Sequence, residues 1–154
     1  MCGIIGISSS KPVSANIINS LKKLEYRGYD SAGIATLADG VINEVKSEGR
    51  VDNLEKSFDL KNLTGTIGIG HVRWATHGIP NSINAHPHSS ENVSVVHNGI
   101  IENSTLLKKH LVSKGHVFKS QTDTEVIVHL ITENLKTREI QAVSYTHLTL
   151  PTKA

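Results

Sequence analysis

Cys2 is the only cysteine among 154 residues, and it directly follows Met1. Removal of Met1 would place a thiol and a free α-amine on one residue. An α-amine titrates at about 7.7–8.0 and a free thiol at about 8.5, so near neutral pH the amine can take the sulfur's proton directly or through one water. A nucleophile that carries its own base is the logic of N-terminal threonine enzymes, and a thiol is the stronger nucleophile. A lone cysteine is more often a small buried hydrophobe, so the meaning of Cys2 depends on the segments that follow.

Four of these carry chemistry. Gly70-His71-Val72-Arg73-Trp74-Ala75-Thr76-His77-Gly78 places Arg, Trp, Thr and two His at a strand end. Such a stretch is either a polar surface loop or one aimed at a ligand, where an arginine grips a carboxylate bidentately. Asn98-Gly99 follows Val95-Val96-His97 and is either a turn or an oxyanion hole, the Asn98 side-chain amide and the Gly99 N–H both donating to a developing oxyanion. Asp123 is either a first-turn acid favoured by a helix dipole or a carboxylate that receives a substrate ammonium. Nine histidines, His86-Pro87-His88 among them, raise a metal reading, but none of the usual zinc spacings is present and no metal is expected. No Gly-rich phosphate loop is present, so no cofactor is expected.

The elements that must position these residues follow from periodicity. Residues 2 to 8 read as a short buried strand whose glycines allow close backbone approach. From Ser14 as N-cap, Ile17, Ile18, Leu21 and Leu24 recur at helical spacing until Gly28. Ala32 to Leu37 and Val41 to Lys46 flank Ala38-Asp39-Gly40 as a hairpin. Val51 to Phe58 fits a helix, and Thr66 to Val72 and Val93 to His97 are apolar strands. Asn103 caps a helix through about Val112, ending at Gly115. Thr122-Asp123-Thr124-Glu125 is a capping box opening a helix to about Lys136. Hairpin-joined strands mixed with helices, without regular βαβ alternation, point to an antiparallel α+β domain.

Composition narrows the function classes. The chain is 38% apolar and 19% charged with a formal charge of +2, ordinary material for one globular domain. Lysines and arginines are scattered among acids without a basic run, so no nucleic-acid partner is expected. There is no long apolar run and no charged-then-apolar leader, so no membrane is expected; with one cysteine the expected compartment is the cytoplasm.

Six segments, in this order, resemble the N-terminal glutaminase domain of the glutamine:fructose-6-phosphate aminotransferases (glucosamine-6-phosphate synthases), class II glutamine amidotransferases. They are Cys2-Gly3-Ile4-Ile5-Gly6, Leu24 to Gly33, Arg73 to Gly78, Asn84-Ala85-His86-Pro87-His88, Val96 to Asn103, and Thr122 to Ile127. Glu25 to Asp30 and Trp74-Ala75-Thr76-His77 separate this group from amidotransferases of purine, asparagine or glutamate synthesis. The resemblance implies Cys2 as the nucleophile, Asn98 and Gly99 as the oxyanion hole, Arg73 on the α-carboxylate of L-glutamine with Thr76 and His77 beside it, and Asp123 on the α-ammonium. By the same resemblance, Trp74 belongs to the loop that in the family closes over glutamine. The implied fold is the N-terminal-nucleophile αββα sandwich of two antiparallel sheets, here C-terminally incomplete.

The family's glutaminase domain runs beyond 154 residues and is followed by sugar-isomerase domains that bind fructose-6-phosphate and largely carry a homodimer. The resemblance therefore divides the chain into a partial glutaminase domain at 2–143 and a tail at 144–154 that does not match. Two other readings stay open: the glutaminase domain of another class II amidotransferase, and an inactive fragment that folds poorly or only docks to a partner.

Overall fold

The computed structural model describes residues 2–75, 78–90 and 92–136; Met1, Thr76, His77, Glu91 and residues 137–154, which include the unmatched tail, lie outside them. The described chain is α+β with two antiparallel sheets. Strands β1 (Gly3–Ser8), β2 (Ser31–Ala38), β3 (Val41–Glu48) and β4 (Ile67–Arg73) form the larger sheet in the order β1-β4-β2-β3. Strands β5 (His88–Ser90) and β6 (Val93–Val95) form the smaller one. The helices are α1 (Ser14–Leu24), α2 (Val51–Ser57), α3 (Ser104–Ser113) and α4 (Glu125–Lys136).

Apolar periodicity builds the first layer. Ile17, Ile18 and Leu21 of α1 and Val51 and Leu54 of α2 join Ala32 and Ile34 of β2 and Val72 of β4 in one buried cluster. Each large aliphatic side chain buried there contributes about 1.5–3 kcal/mol. Between Ala32 and Ile34, Gly33 faces the other side of the sheet, as strand alternation requires. A Cβ on Gly33 would lie 2.1 Å from the His86 carbonyl oxygen, so the glycine lets the Asn84–His88 segment lie directly on β2. The β2–β3 hairpin turns at Asp39 (φ 50°) and Gly40 (φ 79°), positive at both positions as a two-residue hairpin turn prefers.

Local outcomes depart from the sequence expectations in four places. β1 is not a buried strand: it pairs only with β4 among the described strands, and Ile4, Gly6 and Ser8 alternate to the exposed side. Ser14 is the first residue of α1, Val13 taking the N-cap, because the Ser14 Oγ donates to the Leu60 carbonyl at 3.4 Å. The run Val93 to His97 is strand only to Val95, and its partner β5 is the polar His88-Ser89-Ser90, which has no apolar alternation to announce it.

The fourth is the capping box. Thr122-Asp123-Thr124-Glu125 does precede α4, but its side chains bond elsewhere. The Glu125 carboxylate accepts from the Lys119 and Ser120 N–H groups at 2.8 and 2.7 Å and from Ser120 Oγ at 2.6 Å. Thr122 Oγ1 meets Ser120 Oγ at 2.9 Å and His88 Nε2 at 2.8 Å. One carboxylate bonded to three donors outweighs a single reciprocal cap, and the result ties α4, the loop before it and β5 into one unit. Asp123 sits inside that unit.

Candidate active site

Antiparallel register brings three chain positions to one end of the larger sheet. Gly3 pairs with Val72 and Ser31 with Arg73, so the residues before β1, before β2 and after β4 meet. They are Cys2, Asp30 and Trp74. The Trp74 N–H donates to Cys2 Sγ at 3.2 Å, and Sγ lies 3.6 Å from the Trp74 carbonyl oxygen. Asp30 braces the same loop on both sides: its N–H donates to the Arg73 carbonyl at 3.0 Å, and its Oδ2 accepts from the Ala75 N–H at 2.8 Å. Gly28 makes room for this, since a Cβ there would stand 2.6 Å from the Arg73 carbonyl carbon and 2.7 Å from the Trp74 nitrogen. The Trp74 ring is 45% exposed and meets Tyr29 edge-on at 5.9 Å.

Arg73 is 4% exposed. Burial pushes its guanidinium below its ordinary pKa, opposed by the Cys2 sulfur and the Asp30 and Asp123 carboxylates; a guanidinium remains charged in proteins regardless. The result is a buried, fixed positive charge among acids, with five N–H donors in a planar fork suited to a carboxylate.

The second layer closes the site. After β6, Asn98 reaches back so that its Nδ2 donates to the Cys2 carbonyl at 3.2 Å while its Oδ1 lies 2.9 Å from His71 Nε2. Asp123 Oδ2 accepts from the Ile101 N–H at 2.7 Å, which anchors the carboxylate. A cavity of about 370 Å³ is lined by Cys2, Arg73, Trp74, Asn98, Gly99 and Asp123, with Arg27, His86, His97, Ile100, Thr122 and Thr124 completing its wall. That volume lies within the usual range of small-molecule sites.

At the back of the cavity, whose wall includes His86, three histidines stack. His71 and His86 lie at 4.3 Å with 23° between planes, and His86 meets His88 at 4.6 Å. Burial pushes His71 and His88 down to about 4 and His86 well below the usual value, so all three are neutral at neutral pH. Among the described residues no group of three or more His, Cys, Asp or Glu side chains could hold a metal ion; these rings face one another rather than a common point.

Residues 59–139, more than half of the chain, match the glutamine amidotransferase domain family. The chain belongs to that family. It is 58% identical over 138 residues to a glutamine–fructose-6-phosphate aminotransferase (isomerizing) of Pyrococcus horikoshii, covering 88% of this chain and 23% of that protein. It is 50% identical over 153 residues to the enzyme of the same name from Agrobacterium fabrum, covering 97% of this chain and 25% of that one. The chain thus spans about a quarter of the length of these curated relatives. Among solved structures, glutamine phosphoribosylpyrophosphate amidotransferase from B. subtilis superposes with TM-score 0.72 at 29% identity, over 97% of this chain and 30% of that one. A regulatory enzyme of purine biosynthesis gives 0.73 at 30% identity, with the same coverage. With those structures the amidotransferase domain shares the N-terminal-nucleophile fold, two antiparallel sheets with helices.

Of the residues singled out in the sequence, the amidotransferase fold gathers Cys2, Arg73, Trp74, Asn98, Gly99 and Asp123 around one cavity. Thr76 and His77 lie outside the described residues. Sequence reasoning missed Arg27, His86, His97 and Thr124 in the wall, Asp30 as the brace of the Trp74 loop, and His71 behind Asn98. The histidines were visible as candidate metal ligands and as members of the quoted segments, without a role of their own, and Asp30 only as part of the Glu25–Asp30 string.

Proposed function

We propose that this chain hydrolyses L-glutamine to glutamate and ammonia through Cys2, as the ammonia-supplying part of a longer protein that makes glucosamine-6-phosphate from fructose-6-phosphate. The observation that carries the reading is the shared cavity: one sulfur, one buried guanidinium, one anchored carboxylate and one carboxamide donor face the same small volume. The relatives that name fructose-6-phosphate aminotransferase extend far beyond the matched region, and the sugar chemistry is assigned to that remainder. Residues 2–143 are the glutaminase portion, in a cytoplasmic protein that engages neither nucleic acid nor membrane and dimerises through its sugar-isomerase domains.

In this reading, loss of Met1 frees the Cys2 amine, which takes the thiol proton. The sulfur attacks the γ-carboxamide carbon, a C–S bond forms, and the oxygen becomes an oxyanion held by Asn98 Nδ2 and the Gly99 N–H. Collapse breaks the C–N bond, and the Cys2 ammonium delivers the proton that lets ammonia leave. Water, deprotonated by the same amine, hydrolyses the glutamyl thioester and returns the thiol. The Nδ2 of Asn98 has two hydrogens; one is engaged by the Cys2 carbonyl and the second is free for the oxyanion. Arg73 holds the α-carboxylate, with Thr76 and His77 beside it, and Asp123 holds the α-ammonium. That pair of opposite charges selects a free amino acid over a glutamine side chain within a peptide. Trp74 positions the sulfur through its backbone N–H and covers the ligand with its exposed ring.

The test is stoichiometric. Incubation with L-glutamine should release glutamate and ammonia in a one-to-one ratio, and Cys2→Ala should abolish both; equal release by Cys2→Ala would rule the mechanism out.

A further inference from the structure

A carboxamide offers an acceptor on one side and a donor on the other, and a half-turn exchanges them with little change of shape. At an oxyanion hole that half-turn reverses the sign of what the reacting oxygen meets. Asn98 is exposed, so packing alone does not choose between the two orientations. The structure chooses through two partners: the Cys2 carbonyl, which can only accept, takes Asn98 Nδ2 at 3.2 Å, and His71 Nε2 lies 2.9 Å from Asn98 Oδ1.

Nε2 and Oδ1 cannot both be acceptors, so Nε2 carries the proton. His71 is 1% exposed and its pKa is pushed down to about 4 by burial, the bond to Asn98 opposing; the ring is neutral and has one proton to place. Its Nδ1 is buried and makes no hydrogen bond of good geometry, the His97 backbone carbonyl being the other group that favours a proton on the ring, and its plane is held by the stacked His86 ring at 4.3 Å. Strand alternation puts His71 and Arg73, two residues apart on β4, on the same face, so a single strand supplies both the carboxylate-binding charge and the group behind Asn98.

We propose that His71 is a positioning residue whose Nε2–H, together with the Cys2 carbonyl, locks the Asn98 carboxamide with Nδ2 toward Cys2, so that the tautomer of a buried imidazole helps to set a donor and not an acceptor toward the oxyanion. The proposal rests on Asn98 acting as an oxyanion donor. The other tautomer, protonated on Nδ1, would accept from Nδ2 and turn Oδ1 toward the reacting carbonyl, setting a lone pair where negative charge develops.

Two measurements on the full 154-residue chain test it. Nitrogen-15 NMR of the unaltered protein at pH 7 should show His71 as the neutral Nε2–H tautomer; the Nδ1–H tautomer overturns the proposal whatever the variants do. Glutamine hydrolysis is then measured for Asn98→Ala, His71→Leu, His71→Gln and the Asn98→Ala/His71→Leu double variant. Loss of an oxyanion donor lowers kcat by about 10²–10³-fold, which is the expectation for Asn98→Ala. His71→Leu should lower kcat by roughly tenfold or more with KM within about threefold, His71→Gln should recover most of it by restoring a donor near Nε2, and the double variant should be no slower than Asn98→Ala alone. Losses that multiply, or a full kcat in His71→Leu, overturn the positioning role while leaving the hydrolytic function standing. An unchanged kcat in Asn98→Ala removes the oxyanion role itself.

Discussion

Gly28→Ala is a one-methyl perturbation aimed at the nucleophile from outside the cavity. Gly28 has φ 177°, extended backbone that alanine adopts freely, so the substitution carries no dihedral penalty and its effect is steric. The added Cβ would meet the Arg73 carbonyl carbon at 2.6 Å, the Trp74 nitrogen at 2.7 Å and the Arg73 oxygen at 2.8 Å. These are backbone atoms and cannot rotate away. Restoring the shortest contact to an ordinary separation of 3.4 Å requires a displacement of about 0.8 Å, taken up by the peptide whose N–H donates to Cys2 Sγ at 3.2 Å.

Overpacking of this kind costs about 1–3 kcal/mol of stability, and misplacing a reacting group by about 1 Å can cost on the order of 10²-fold in rate. Gly28→Ala is therefore expected to lower the rate of Cys2 modification by a glutamine-like electrophile by roughly 10- to 100-fold. The control is Gly6→Ala on β1, where the nearest atom to an added Cβ is 4.0 Å away; it should retain the parent rate within about twofold, since such open sites usually change stability by less than about 0.5 kcal/mol. Stability is read from urea unfolding and reactivity from the time course of adduct mass. A Gly28→Ala protein that is folded and reacts at the parent rate would refute the claim that the Arg73–Trp74 peptide sets the sulfur.

Three further outcomes are expected. Arg73→Lys should raise KM for glutamine by roughly tenfold or more with a smaller change in kcat, because a point charge cannot reproduce the two parallel bonds of the fork; an unchanged KM would remove Arg73 from the site. Glu125→Gln should destabilise the chain by about 1–3 kcal/mol, since Oε1 takes the Lys119 N–H and Oε2 the Ser120 N–H and Oγ, so an amide leaves at least one backbone N–H facing its own NH2 group, and a urea midpoint equal to the parent's would contradict this. Burial pushes the Glu125 pKa up, but the bonds from Ser120 and Lys119 outweigh it and leave it lowered, so this contribution is present above the ordinary carboxylate range and fades as pH falls through the lowered value. The buried histidines act in a higher window: His71 and His88 fall from 6.5 to about 4, so below pH 6.5 the unfolded chain takes up protons the folded rings refuse. Stability should decline from about pH 6.5 to about 4, by on the order of 3 kcal/mol for each ring, and a urea midpoint flat across that window would refute it.

What the sequence disclosed and what it hid have physical reasons. The α1 stripe of Ile17, Ile18 and Leu21 and the Asp39-Gly40 turn are local signals, and both elements form where periodicity and turn chemistry put them. Cys2, Arg73, Asn98 and Asp123 were candidates by residue type, each with an ordinary structural alternative, and the family resemblance singled them out; the fold brings all four to one cavity. β5 was invisible because His88-Ser89-Ser90 is polar and is held by its surroundings, His88 bonding Thr122 and Ser89 bonding Glu44. The capping box misled because Glu125 found three donors in the preceding loop, a tertiary choice that local spacing cannot anticipate. Asp30 and His71 act through residues 45 and 27 positions away, and only the fold brings such partners together.

The central claim is that Cys2 is a nucleophile assembled in a cavity that Arg73, Asn98 and Asp123 also line. Intact mass measured before and after exposure to a diazoketone analogue of glutamine, with and without excess L-glutamine, tests it most directly. The account predicts a starting mass lacking Met1, one adduct per chain located on Cys2, and suppression of that adduct by L-glutamine. Loss of Met1 with no adduct, or an adduct that L-glutamine does not suppress, would contradict it.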